Sequence, residues 1–121
     1  MGTHRVERVA AQLRQEISQI IIRDLKDPRV TMASISDVKL SPDLRNATVK
    51  VSVLGEPEQQ EAAVEGLRHA RGFIRREIGA RLTNLRFAPE LRFELDRGIA
   101  YSVRVSQLLR EVTEENPPGN G

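Results

Sequence analysis

The chain has no cysteine and no tryptophan. Without cysteine, disulfide staples and thiolate chemistry are excluded, which fits a reducing compartment. Aromatics make up 3% of the 121 residues: Phe73, Phe87, Phe93 and Tyr101. So few rings leave little material for a surface built on base stacking. Phe93 is expected in the core from its alternation, and Phe73 and Phe87 are core candidates as well. The two histidines, His4 and His69, fall in separate elements with no metal-ligand spacing, so neither a metal nor a cofactor is expected. No apolar run reaches 18 residues, so no membrane-spanning helix is expected. The N-terminal MGTHRVERVAAQ lacks the apolar core of a secretion signal, and the residues after Gly2 do not form a lipidation pattern. These absences predict a soluble, cytoplasmic protein with no membrane contact.

Catalytic constellations are missing too. Ser and Thr are scattered, with no nucleophile elbow. Gly66, Gly72 and Gly79 lack the spacing of a phosphate-cradling loop. Glu56, Glu58, Glu61 and Glu65 read as charges at a helix start rather than as an acid/base pair. No catalytic residue is assigned, and no enzymatic activity is expected.

Basic charge is what the chain does have. Net charge is only +2, but 19 Lys and Arg include just three lysines, Lys26, Lys39 and Lys50. Guanidinium is the better fork for phosphate. Residues 66–93 hold Arg68, Arg71, Arg75, Arg76, Arg81 and Arg86 against few acids, while the glutamates cluster just before them. The near-neutral total therefore hides separated acidic and basic regions.

Hydrophobic spacing places these charges. Val6, Val9, Leu13, Ile17, Ile20 and Ile21 mark a helix over about 4–25, stopped by Asp27-Pro28. Its opposite face holds Arg5, Arg8, Gln12, Gln15, Gln19, Arg23 and Lys26 with no carboxylate in the stripe. That face is either a solvated surface or a second site for a polyanion. Residues 33–40 form a strand whose parity shifts once, which predicts a bulge. Ser41-Pro42-Asp43 is turn chemistry, and Ala47, Val49, Val51 and Val53 alternate in a second strand. Gly55-Glu56-Pro57 opens another helix.

The apolar stripe of that helix, Val64 and Leu67, runs on through Ile74, Ile78, Leu82 and Leu85. In one unbroken helix Arg71 would point near this stripe. A kink at Ala70-Arg71-Gly72 relieves the conflict, and a glycine within a helix costs about 1 kcal/mol relative to alanine. Leu91, Phe93 and Leu95 alternate in a third strand, and a short C-terminal helix is expected from about residue 102 to 112. Residues 113–121 read as a flexible tail. The result is a single α+β domain over residues 1–112, in the αββααβ order of a type II KH domain with a three-stranded sheet. A KH module clamps nucleotides with a GxxG loop between two helices. This chain has no GxxG, and the Ala70-Arg71-Gly72 kink stands in its place.

These features together resemble the ribosome-binding factor A family. Lys26-Asp27-Pro28-Arg29, Ser41-Pro42-Asp43-Leu44 with Ala47 and Val49, Gly72-Phe73-Ile74-Arg75 and Pro89-Glu90-Leu91 occur in the family's order, over roughly residues 5–110. The Ala-x-Gly interruption is that family's own variation, although Arg71 is a bulky, charged middle residue. The resemblance implies a monomeric, non-enzymatic assembly factor that binds free 30S subunits through 16S rRNA. It implies a late step of maturation, processing of the 5′ end of that RNA, and support of growth in the cold. Other assembly factors or GTPases are further candidate partners. Arg71, Arg75, Arg76 and Arg81 beside the kink are the first candidate phosphate contacts. Arg5, Arg8, Arg23 and Lys26 form a second surface, and Lys39, Arg45 and Lys50 near the strands a third. The alternatives are a protein-interaction adaptor docking through its charged surfaces and a general single-strand RNA binder.

Overall fold

The structure, a computed structural model, describes residues 2–97. Its elements are α1 (Gly2–Arg23), a 3-10 turn (Pro28–Val30), β1 (Ala33–Leu40), β2 (Asn46–Val53), α2 (Pro57–His69), α3 (Arg71–Arg81) and β3 (Glu90–Leu95). This is the expected α+β order. The expected C-terminal helix and tail, with Tyr101, lie outside the described residues.

The sheet runs β1-β2-β3, with β1 antiparallel and β3 parallel to the central β2. Its helix-facing side carries Val38, Val49 and Phe93 in one row and Leu40, Ala47 and Leu91 in the next. Against it lie Val9, Leu13, Ile17, Ile20 and Ile21 of α1, Val64 and Leu67 of α2, and Ile74 and Ile78 of α3, all buried. No polar or charged residue is buried among them. The expected bulge is present: pairing with β2 shifts between Ile35 and Asp37. Ser36 fills that gap, its hydroxyl donating to Asp96 Oδ2 at 2.7 Å with the Lys50 carbonyl 3.3 Å away.

Boundaries differ from the sequence reading at two helix ends. α1 stops at Arg23 rather than Leu25, where the Leu25 N–H bonds the Ile20 carbonyl in a widened turn. Asp27 then caps the 3-10 turn, accepting from the Arg29 N–H at 2.9 Å. α3 ends at Arg81, because Leu82 leaves the helical region at φ −104°, ψ 82°. Leu82 and Leu85 still reach the core, from the loop.

The helix interruption falls at Ala70, with φ −86° and ψ 4°. Its N–H bonds the Gly66 carbonyl at 3.1 Å and its own carbonyl accepts from Ile74 at 3.0 Å, so one residue closes α2 and opens α3. Gly72 is not the joint. It sits in the first turn of α3 without positive φ, and a Cβ there would meet nothing within 4 Å. Space is tighter at Gly66: a Cβ would lie 3.0 Å from Val30 Cγ1 and 3.2 Å from Asp27 Oδ2, where α2 crosses the 3-10 turn.

Candidate nucleic-acid interface

β3 is an edge strand, and its even-numbered residues bond β2: the Glu90 N–H reaches the Arg45 carbonyl and the Asp96 N–H the Val51 carbonyl. The odd-numbered carbonyls therefore face outward. Arg68 Nη2 donates to the Phe93 carbonyl at 3.4 Å, and Arg71 Nη1 to the Leu91 carbonyl at 3.4 Å. Arg75 donates from Nε to the Pro89 carbonyl at 3.1 Å and from Nη2 to the Ala88 carbonyl at 3.0 Å. Three arginines from α2 and α3 thus cover the free edge of β3, where exposed backbone groups otherwise invite another strand. Arg75 also lies 3.4 Å from Glu90, and Arg68 3.9 Å from Glu65. The α2–α3 junction is what brings the three guanidinium groups into line with the strand.

Arg81 is more heavily committed. Its guanidinium lies 2.7 Å from Asp24, 3.0 Å from Glu77 and 3.6 Å from Glu16, joining the end of α3 to α1. The hydrogen bond to Asp24 is the main reason its pKa is raised. Lys50 is likewise paired, 2.8 Å from Glu94 on the open sheet face, which holds the Glu94 carboxyl below its ordinary range.

The other candidate cations are exposed and make no ion pair or side-chain hydrogen bond among the described residues: Arg5, Arg8, Arg23, Lys26, Lys39, Arg45 and Arg76. Arg5, Arg8 and Arg23 stand on the polar face of α1, with Lys26 just beyond its end. Gln12 of that face accepts a 3.2 Å hydrogen bond from Asn84, so the stripe borders the loop after α3. Lys39 and Arg92 flank Thr48 on the open sheet face. The structure therefore does not gather the sequence-derived cations into one cluster.

Two side chains beyond the charge pattern complete the surface. Phe73 and Phe87, read as core candidates, are 39% and 67% exposed. Phe73 precedes Ile74, the residue that faces the core, and so falls on the flank of the stripe. Phe87 lies in the loop before β3, where no periodicity fixes its direction. Arg86 beside it is exposed and unpaired too, and with Arg5, Asp43, Leu44, Arg45, Leu85 and Phe87 it lines a groove of about 400 Å³. Among the described residues no group of acids and histidines could hold a metal ion, and no helix is long and apolar enough to cross a membrane.

A sequence profile described as "Ribosome-binding factor A" matches residues 5–109. Ribosome-binding factor A of Desulfitobacterium hafniense is 44% identical over 121 residues, which is all of this chain and 96% of the relative. The crystal structure of ribosome-binding factor A from Thermus thermophilus superposes with a TM-score of 0.67 at 28% identity, covering 77% of this chain and 97% of that one. A second Thermus thermophilus match, at TM-score 0.61 and 29% identity over 74% of this chain and 92% of that one, is a homology model of the factor fitted into a cryo-electron-microscopy map of its complex with the 30S subunit. The profile match over most of the chain and the full-length relative agree, and the chain belongs to the ribosome-binding factor A family.

Proposed function

We propose that this protein binds the free 30S ribosomal subunit through 16S rRNA as a monomer, and acts as a non-enzymatic factor in late maturation. On this reading it favours processing of the 5′ end of 16S rRNA and supports growth in the cold. The observation that carries the reading is the sorting of cations. Arg68, Arg71, Arg75, Arg81 and Lys50 bond other parts of the fold, while Arg5, Arg8, Arg23, Lys26, Lys39, Arg45, Arg76 and Arg86 are exposed and make no ion pair or side-chain hydrogen bond among the described residues. Unpaired guanidinium and ammonium groups spread over a rigid α+β domain suit a folded phosphate surface, where backbone contacts position the protein. The likeness to a factor fitted into a 30S complex supports the 30S subunit as that surface. Such a factor works by differential binding: it stabilises the rRNA arrangement to which it fits best.

The protein alternative, an adaptor docking on acidic partners, uses the same cations and differs in its sensitivity to ribonuclease. A sucrose gradient of a cell lysate tests the reading. The protein should travel with free 30S particles, be absent from intact ribosomes, and shift to the top after ribonuclease treatment. A ribonuclease-resistant complex away from the 30S peak would favour the adaptor.

A further inference from the structure

The groove at the end of the sheet farthest from Val53 combines three arginines with an exposed aromatic ring. α1 supplies Arg5, the β1–β2 turn supplies Asp43, Leu44 and Arg45, and the loop before β3 supplies Leu85, Arg86 and Phe87, around about 400 Å³. Arg5, Arg45 and Arg86, none of them in an ion pair or side-chain hydrogen bond among the described residues, line it together with the ring of Phe87, which is 67% exposed. We propose that this groove takes a single unstacked nucleotide of RNA, its base lying on Phe87 and its phosphates held by Arg5, Arg45 and Arg86. The proposal rests on the rRNA-binding reading above and adds a site to it.

The walls are preorganised. The Ser41 N–H bonds the Asn46 carbonyl at 2.9 Å and the Leu44 N–H bonds the Ser41 carbonyl at 2.9 Å, closing the turn. The Glu90 N–H bonds the Arg45 carbonyl at 2.8 Å, which ties that turn to the strand following Phe87. The Asn84–Gln12 bond ties the same loop to α1. Leu44 has φ 63°, the one non-glycine among the described residues at positive φ. A branched side chain held in that sparsely allowed region is uncommon and concentrates at binding sites. Asp43, the single acid of the groove, is turned inward on its own turn: Oδ1 accepts from the Ser41 hydroxyl at 2.6 Å and from the Arg45 N–H at 3.1 Å. A carboxylate oxygen only accepts, so Asp43 suits a base amino group rather than a phosphate. A pocket of this size matches one nucleotide, and an aromatic face with cationic flanks is the usual platform for an unstacked base.

The chain lacks tryptophan, so Phe87→Trp introduces a single indole reporter at the site. Purified 30S subunits should quench its emission, as base stacking does. In equilibrium binding to 30S subunits, Phe87→Leu should bind roughly five- to a hundredfold more weakly than wild type, while Phe87→Tyr retains affinity. Phe87 is exposed, so these variants should keep the fold. Wild-type binding together with unchanged Phe87→Trp emission and wild-type affinity of Phe87→Leu would overturn the nucleotide site and leave the 30S reading standing. Failure of the wild-type protein to bind 30S subunits would instead remove the reading on which the site rests.

Discussion

Arg81 Nη2 lies 2.7 Å from Asp24 Oδ2, across 57 residues of sequence, and the same nitrogen lies 3.0 Å from Glu77 Oε1. A guanidinium with three carboxylates around it has little attraction left for phosphate. Arg81→Ala should therefore lower the melting temperature by a few degrees while leaving 30S affinity close to wild type. Thermal denaturation beside equilibrium binding checks this. Unchanged melting with a large loss of affinity would return Arg81 to the interface.

Arg75 and Arg76 are neighbours with opposite roles. Arg75 bonds the carbonyls of Ala88 and Pro89, whereas Arg76 is exposed and unpaired. Arg75→Ala should cost roughly 1 kcal/mol of stability, the net worth of a hydrogen bond or two. Arg76→Ala should leave stability within about 0.5 kcal/mol and weaken 30S binding several-fold. If it removes one phosphate contact, the log–log salt slope falls by about 0.7–0.9. Urea denaturation and binding titrations of both variants separate the two. Removing Arg68, Arg71 and Arg75 together should expose the β3 edge and raise aggregation, measurable by light scattering.

Glycines on α2 and α3 should respond in opposite directions. Gly79→Ala meets open space on a helix and should stabilise by about 0.5–1 kcal/mol. Gly66→Ala gains the same helix preference but drives a methyl to 3.0 Å from Val30, which is itself buried. That contact should cancel the gain and leave the variant less stable than wild type. A stabilised Gly66→Ala would show that the 3-10 turn yields easily.

Acid should destabilise the fold through three carboxylates. The Arg29 guanidinium holds Asp27 below its ordinary pKa, the Ser41 hydroxyl does so for Asp43, and the Lys50 ammonium for Glu94. Because the folded-state values are depressed, their stabilisation is complete above the unfolded-state values of about 3.9 for Asp and 4.3 for Glu. It is lost as pH falls through the lower folded-state values. The melting temperature should stay nearly level from about pH 7 to 5 and drop below about 4, and Asp27→Asn should soften the drop. A melting temperature that climbs on acidification would contradict the assignment.

The fold was legible because its signals are local. Period-2 and helical spacing placed three strands and three helices, one parity shift pointed to a bulge within residues 33–40, and the clash of Arg71 with an apolar stripe pointed to a break at Ala70-Arg71-Gly72; the structure narrows these to Ser36 and Ala70. The division of labour among the cations was not legible. Whether an arginine meets Asp24, a strand-edge carbonyl or solvent depends on elements dozens of residues apart. Phe73 and Phe87 misled for a related reason, since an aromatic outside a strict period carries no sign of which way it faces. Arg86 was visible as charge next to Phe87, but the sharing of one groove with Arg5 and Arg45 appears only when the helix, turn and loop meet.

On the proposed function, cations without ion pairs bind this protein to 16S rRNA in the free 30S subunit. The most direct measurement is the dissociation constant for purified 30S subunits across a series of salt concentrations. With about five phosphate contacts the affinity should fall with a log–log slope of roughly −3.5 to −4.5. A flat response, or no binding to free subunits at low salt, would contradict it.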